Sequence, residues 1–532
     1  MTDRSTTTDV LIVGGGPVGL ALACELGFHG IDCTLVERGD GTVKTPKMNE
    51  VNTRSMEFCR RWGIVDSVLE TPFPEDWPKD VVFVTTMDGY ELGRVARPPG
   101  RVRASEFSPE SLQICSQHWF DPILREFAES LPSVTLRYGR KLDAFEETAD
   151  GVTATLADGE RIAATYLVGC DGAGSIVRRA LDIPLEGEGT LGTAINMFFR
   201  TSDLLADCGK DPGTFFIPVD EDGAWCNIRV VEPQTGLWRM MINEADDDTT
   251  AETVDRAAYL RRGVGRDLDV DWVDVNIWRR QSVLAASYGR GRVFLAGDAV
   301  HQVSPTGAMG MNTGLGDAVD LGWKLAAVLQ GWGGDALLDS YDAERRPVGG
   351  RAVQFATSFH FLQFGWGDGL GRLEEDGESA ATLRKEVGAM LIDHVGREFR
   401  TIGLQLGYRY ENSPICVPDG TDPVGDPPDT VIPSARPGAR APHAWLAEGR
   451  STLDLFGKGF TLLNFGAAGT ADIEAAAADC GLPLYVESVD STVARDLYDR
   501  DLVLVRPDGH VAWRGDEVED ARAILDRVRG AG

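Results

Sequence analysis

An apolar run, Val10-Leu11-Ile12-Val13, ends directly in Gly14-Gly15-Gly16-Pro17-Val18-Gly19, and this junction constrains the fold more than any other segment of the chain. Small and apolar residues from Pro17 to Gly27 read as a helix, and Ile31–Glu37 reads as a second strand that ends in an acid. Strand, glycine turn, helix and strand make a βαβ unit. Gly14 permits the tight turn, Gly16 lets backbone approach a pyrophosphate, and Gly19 lets the helix pack closely on the strand. With Pro17 at its first position, the helix start turns amide donors and a partial positive charge toward phosphate groups. Glu37, 23 residues after Gly14, is placed to accept hydrogen bonds from a ribose. The unit predicts a bound dinucleotide.

Two further glycine motifs follow far downstream. One is Gly169-Cys170-Asp171-Gly172, with Ser175 and Arg178 after it. The other is Gly297-Asp298-Ala299-Val300-His301, running on to Gly310-Met311-Asn312. Asp298 follows an apolar strand, Arg292–Ala296, so its carboxylate can clamp a sugar-alcohol hydroxyl or simply cap its own loop; the residues alone leave both readings open. Amides at the helix start beyond it can stabilise negative charge on a bound ring. In this order the three motifs describe a large, doubly phosphorylated cofactor approached from several directions.

At 532 residues the chain has room for two or three domains. Residues 1–80, 105–189 and 284–370 share the α/β texture of the first unit. Residues 81–104, 190–283 and 371–412 form a second group; within it, alternating stretches such as Ala194–Arg200 and Leu237–Ile242 suggest a mostly antiparallel sheet. Residues 81–104 read as a hairpin, with strands at Val81–Val84 and Met87–Tyr90, and Thr313–Leu329 reads as a helix. A proline-rich linker spans 413–442, and 443–532 alternates strand and helix patterns as a compact α/β module. The expected fold class is α/β: a Rossmann-like cofactor domain interrupted by a mostly antiparallel substrate sheet, with a C-terminal α/β domain.

The formal net charge of -31 argues against general affinity for nucleic acid or an anionic membrane. Nine cysteines are scattered singly with no C-x-x-C pair, so neither a metal site nor a dithiol redox centre is expected. No apolar run reaches transmembrane length, and Met1–Asp9 lacks the apolar core of a signal peptide. The expectation is a cytoplasmic protein.

The stretch Gly297–Pro347 holds Gly-Asp-Ala-Val-His, Gly-Met-Asn-Thr-Gly, Asp317-Ala318, Trp323-Lys324-Leu325 and Ser340-Tyr341-Asp342-Ala343-Glu344-Arg345-Arg346-Pro347. It resembles the group A flavoprotein aromatic hydroxylases. Asp171-Gly172 resembles their signature for FAD and the passing nicotinamide. Arg436-Pro437-Gly438-Ala439-Arg440-Ala441-Pro442-His443 resembles the entry to the thioredoxin-like C-terminal domain of the phenol hydroxylase-type branch, which includes polyketide-tailoring enzymes of antibiotic biosynthesis. The resemblance implies a cycle in which NADH or NADPH reduces FAD and a flavin C4a-hydroperoxide, formed with O2, hydroxylates a phenol-like or polyketide-like aromatic ring. It also implies a homo-oligomer. Baeyer–Villiger or epoxidising chemistry fits the same motifs. A non-catalytic FAD-binding assembly protein is the reading from another class, and a flavin halogenase ranks lower because Trp-x-Trp-x-Ile-Pro is absent.

By matched position, the resemblance gives Gly14, Gly16, Pro17, Gly19, Glu37 and Arg38 to the ADP half of FAD. Arg54 and Gln117, both at helix starts, reach its pyrophosphate and ribityl region, and Asp171 and Gly172 contribute their motif. Gly297 and Asp298 hold the ribityl or pyrophosphate-proximal hydroxyls, while Gly310, Met311 and Asn312 meet the isoalloxazine edge. Pro305 shapes the loop beside the flavin. Phenol-type members often carry His-Pro-Arg where this chain has Thr45-Pro46-Lys47. Lys47 retains the charge, but Thr45 is no general base at neutral pH. Asp121, one turn after Gln117, is the replacement base expected here, with His118 beside it. His301 is expected to bond backbone. The C-terminal module, lacking C-x-x-C, is expected to be structural.

Overall fold

The computed structural model describes residues 5–97, 105–202, 204–205, 208–246, 248–362, 370–466 and 469–532. Residues 98–104 of the expected 81–104 hairpin and 363–369 at the end of the third cofactor segment lie outside the described residues. Nothing among the described helices is long and apolar enough to cross a membrane.

The chain opens with β1 (Ser5–Val13), α1 (Pro17–Phe28) and β2 (Cys33–Glu37), then α2 (Thr53–Trp62), α3 (Gln117–Ser130), β3 (Val134–Tyr138) and β4 (Arg161–Gly169). β1 pairs in parallel with both β2 and β4, and β2 with β3. Parallel strands are buried on both faces, which is why Val10–Val13 is continuously apolar. α1 is buried from Gly19 through Gly27 because it lies between this sheet and two further helices.

The chain then leaves for a second sheet built on β5 (Leu185–Arg200), β6 (Cys226–Glu232), β7 (Leu237–Ala245) and β8 (Asp271–Ala285). Their order is β8-β5-β7-β6, all antiparallel, and the sheet continues through Phe215–Pro218 to a hairpin of Val81–Val84 and Glu91–Val95. The second hairpin strand is thus Glu91–Val95 rather than Met87–Tyr90. Gly89 donates to the Thr86 carbonyl at 3.2 Å and Met87 donates to Gly263 at 3.0 Å, so that stretch forms the turn.

With β9 (Val293–Leu295) the chain returns to the first sheet beside β4, giving the order β9-β4-β1-β2-β3. α4 (Met309–Leu329) and α5 (Ser340–Leu362) follow. α4 starts four residues before the expected Thr313. Gly307 (φ 76°) and Ala308 (φ 53°) take left-handed conformations and release a helix directly at Met309. Gly314 is a packing residue: a Cβ there would stand 2.5 Å from the Val18 side chain.

The C-terminal module is a four-stranded sheet in the order 484–488, 460–464, 502–505, 511–515, with the first pair parallel and the rest antiparallel. It has no separate core of its own on the side facing α4. Trp323 and Ala327 of α4, with Trp332 and Leu337, share one apolar cluster with Phe460, Leu462, Leu504 and Trp513. Trp323 stacks on Trp332 at 6.3 Å and meets Phe460 edge-on at 6.1 Å. All nine cysteines are unpaired. Cys480 follows its helix, Ala471–Asp479, rather than opening it.

Candidate active site

The carboxyl ends of β1, β4 and β9 lie side by side, and the cleft beyond such ends is where a sheet of this kind binds its ligand. Gly14 is at φ 111°, and a Cβ there would meet the Cys170 carbonyl at 2.3 Å. A Cβ on Gly19 would meet the Gly14 carbonyl at 2.0 Å, whereas one on Gly16 meets nothing within 4 Å. The turn is therefore closed on its protein side and open at Gly16, the geometry a pyrophosphate needs. Both Glu37 oxygens accept one amide, Gly15 N–H at 2.8 Å and Gly39 N–H at 2.7 Å. Each keeps a lone pair for a ribose hydroxyl. Arg38 is exposed beside it.

Asp171 is largely spent locally. Its Oδ2 accepts Ile176 N–H at 2.7 Å and Val177 N–H at 3.2 Å, while Oδ1 has no partner among the described residues. Gly172 is left-handed at φ 78° and carries the turn.

Asp298 opens into the cleft, and crowding by the protein around it lifts its carboxyl above the usual range against the charges of His301 and Lys47. The turn holding it is fixed from behind by Asp317. That buried carboxylate accepts Gly297 N–H at 3.1 Å, His301 Nε2–H at 2.9 Å and Arg345 Nε–H at 2.9 Å. Burial pushes Asp317 up, but Arg345 and His301 hold it below its ordinary value. His301 therefore bonds a carboxylate, not backbone as expected. Gly310 lies near Asp298, where a Cβ would be 3.8 Å from its Oδ1. The first-turn amides of α4, from Met309 to Asn312, have no acceptor within their own helix. Pro305 is exposed at the start of the loop that precedes them.

Three expected site residues are used differently. Arg54 turns away from the cleft: it donates to Glu57 and to the Asp508 carbonyl, both at 2.7 Å, and lies over Phe58. A pyrophosphate contact from Arg54 is therefore corrected to a tie between α2 and the C-terminal module. Gln117 accepts Lys47 N–H at 3.1 Å and donates to Asp121 at 3.0 Å, so its amide spans two protein groups. Asp121, the expected base, is buried, with Oδ2 taken by Gln117 and Oδ1 without a partner among the described residues. His118 lies 2.8 Å from Glu232, and Thr45 donates to Asp274 of β8 at 3.3 Å.

Burial lifts the Asp121 carboxyl to about 7. Its folded value stands above its unfolded one, so the folded state binds the extra proton and stability falls as pH rises from about 4 to about 7. Asp121→Asn is expected to raise the thermal midpoint. The gap to the parent should widen across that interval to the equivalent of about 4 kcal/mol and stay constant above it. Thermal melts at pH 4.5, 6 and 8 check this; a pH-independent gap would count against it.

What sequence reasoning missed lies on the second sheet. Ile195, Met197, Ile228, Trp238, Met240 and Ile242 point to one face and form an apolar core. Their alternates point to the other face, where register pairs Asn227 with Met241, Arg229 with Arg239, and Asn196 with both Met241 and Asn276. Arg229 and Arg239 are each 5% exposed, and Arg280 of β8 is 1% exposed. None has a carboxylate within ion-pair distance among the described residues. Burial brings Arg229 and Arg280 down to about 10; Arg239 is depressed further by burial and by the charges of the other two. Guanidinium groups nonetheless stay charged at neutral pH. Orphan polar atoms gather on this face: Asn196 Oδ1, Asn227 Oδ1, Nε of all three arginines, Arg229 Nη2 and Trp278 Nε1. The legible signal was an arginine at an alternating position inside apolar strands, Ile228-Arg229-Val230 and Trp238-Arg239-Met240.

Comparison with known proteins agrees with this geometry. Residues 7–356 match a family described as an FAD binding domain, and 434–531 match the C-terminal domain of aromatic-ring hydroxylases. The chain is 35% identical to an FAD-dependent monooxygenase, apdD, of Emericella nidulans, over 98% of this chain and 90% of that protein. It is 33% identical to the tetracenomycin B2 monooxygenase-dioxygenase of Streptomyces olivaceus, over 98% of this chain and 97% of the other. Among solved structures, RebC soaked with chromopyrrolic acid and holding 7-carboxy-K252c superposes with a TM-score of 0.92 at 38% identity, covering 99% of this chain and 100% of that one. The flavin-dependent monooxygenase PieE, in complex with FAD and substrate, gives 0.87 at 31% identity, with 99% of each chain covered.

The cleft fits FAD: Gly14, Gly16, Pro17, Gly19 and Glu37 suit its ADP half, Asp298 its ribityl chain, and the α4 amides its ring. Asp298→Ala is expected to raise the FAD dissociation constant at least about tenfold, the cost of losing one charged hydrogen bond. The ratio of flavin to protein absorbance after desalting reads this directly, and an unchanged ratio would remove Asp298 from the site. The chain belongs to the FAD-dependent aromatic-ring hydroxylase family of monooxygenases, and its cofactor is FAD.

Proposed function

We propose that the protein hydroxylates an aromatic ring carried by a polycyclic, polyketide-like acid, and that the acid is held by Arg229 and Arg239. The observation that carries this reading is the pair itself: two cross-strand guanidinium groups, buried, with no counter-ion among the described residues. Like charges directly opposite each other on a sheet destabilise it unless an anion comes between them. A carboxylate matches the planar fork of arginine, and Asn196 and Asn227 offer acceptors to ring N–H or O–H groups. RebC, a solved relative, holds a ligand named as a carboxy compound.

With FAD held by Gly14, Gly16, Glu37 and Asp298, the chemistry supplied would be an electrophilic oxygen drawn from O2, with NADH or NADPH as the reductant. The chain's own part is to orient the ring, exclude water and place charge. Arg229 and Arg239 anchor the acid, and Trp278 and Phe198 stand on the same face as flat walls. The α4 amides stabilise negative charge at the ring edge of the cofactor. Asp274, bonded by Thr45 and by Asn276 at 2.7 Å, is the carboxylate placed where β8 meets the Thr45 loop. It is positioned to accept a phenolic proton.

The test is oxidation of NADH and NADPH against matched pairs of polycyclic aromatic acids and their decarboxylated analogues, with perturbation of the flavin spectrum as the binding readout. Stimulation by the acids alone is the expected result. Equal stimulation by neutral phenols would overturn the carboxylate reading and leave the family standing.

A further inference from the structure

We propose that the C-terminal module is a working part of the flavin site, acting through Arg54 as a positioning residue for the ring edge. The module carries no thiol pair, yet its loop Arg506–His510 is among the most buried segments of the protein. That loop touches the helices that frame the cofactor. Arg506 donates to Asp320 of α4 at 2.9 Å and to Glu344 of α5 at 2.6 Å. The Asp508 carbonyl accepts from Arg54 of α2. Arg440, at the module's entry, pairs with Glu57, the same carboxylate that holds Arg54.

What Arg54 steadies is the start of α2, and that start is bolted to α4 at the ring edge. Asn312 Oδ1 accepts Asn52 N–H at 2.9 Å and the Ser55 hydroxyl at 2.8 Å. Its Nδ2 donates to the Glu50 carbonyl at 3.1 Å and the Ala308 carbonyl at 2.9 Å. The whole Asn312 side chain is thus a strut between the two helices, and only its backbone amide is left for the ring. A cavity of about 30 Å³ beside the strut is lined by Asn52, Arg54, Asn312, Gln405 and Tyr408. Arg54 lines this cavity and reaches on to the Asp508 carbonyl. Loosening Arg54 lets the start of α2 move, and with it the amides that meet the ring.

This inference rests on assigning the α4 start to the flavin ring. Asp298→Ala tests the FAD cleft separately, so failure of the cleft and failure of the Arg54 link are distinguishable.

The experiment compares Arg54→Ala and Arg54→Lys with Arg61→Gln in the full-length holoenzyme. Arg61 also reaches the module, through the Pro507 carbonyl, but it lies at the far end of α2 from the strut. Three quantities are read: the FAD dissociation constant, the flavin midpoint potential and the thermal midpoint. Arg54→Ala is expected to weaken FAD about tenfold, the effect typical of groups that orient a ligand's own contacts, and to make the flavin potential more negative. Arg54→Lys should shift both partway, and it decides the matter if the alanine variant does not fold. Arg61→Gln should lower the thermal midpoint and move neither flavin quantity. The proposal is overturned if the Arg54 variants keep parental affinity and potential, or if Arg61→Gln shifts them equally for the same loss of thermal stability.

Discussion

Arg239→Met is expected to cripple substrate binding while making the substrate-free protein more stable. Arg239 is 5% exposed, faces Arg229 across the strands, and among the described residues has only the Met241 sulfur within hydrogen-bonding distance of its Nη2. With no anion present, this is a buried like-charge pair whose desolvation is not offset. Replacing one member with an apolar side chain of similar length is neutral to stabilising by roughly 1–4 kcal/mol. The same change removes a charge-assisted, forked contact to the proposed carboxylate. A loss of about 3 kcal/mol corresponds to roughly a hundredfold rise in KM for an acid substrate. FAD content should not change, because the polar face of β6 and β7 belongs to the substrate sheet. Titration with the acid and a thermal melt without it make the pair of measurements. A variant that binds the acid as well as the parent would defeat the assignment, whatever its melting behaviour.

Arg506→Met is expected to be the most destabilising single change considered. Arg506 is fully buried and donates to Asp320, Glu344 and Asp508. Burial alone would push Glu344 up, but Arg506 and Lys324 hold it down at about 2. Without the guanidinium, three buried carboxylates share one ammonium, Lys324, which reaches Asp320 at 2.7 Å and Glu344 at 2.5 Å. Breaking a buried ion network from one side costs roughly 3–5 kcal/mol. Because the module shares the Trp323 core with α4, parent and module should melt together. The variant should show an earlier transition that exposes Trp323 and Trp332 and shifts tryptophan emission to the red. An unchanged midpoint would mean the network contributes no stability.

The two predictions fall in regions of very different legibility. The cofactor cleft could be read from residues because its geometry is local. Gly14, Gly16 and Gly19 lie within one turn and one helix start, and their need for missing side chains is written in a few consecutive positions. The same holds for the bounds of α2, Thr53–Trp62, since Asn52 caps it and Gly63 ends it. Where a motif glycine lay inside the helix, as at Gly310, local reading started α4 late, at Thr313.

Asp121 shows a different limit. Spacing placed it one turn from Gln117, and that contact exists at 3.0 Å. What the shared face of α3 would meet was not in the spacing: Gln117 accepts Lys47 N–H, 70 positions away in sequence. Arg54 is the same case: helical phase gave its face, while the partner, Asp508, is 454 positions away in sequence.

By itself, then, the sequence determined the βαβ cofactor unit, the order of the flavin motifs, the interrupted α/β architecture and the absence of a dithiol centre, all properties of short segments or of composition. Tertiary structure alone decided that arginines from three strands converge on one face, that Asp317 anchors the Asp298 turn, and that a thiol-free module is locked onto the cofactor helices. Strand register and domain docking set these pairings. They depend on which of many apolar surfaces bury one another, a choice made by the whole chain at once.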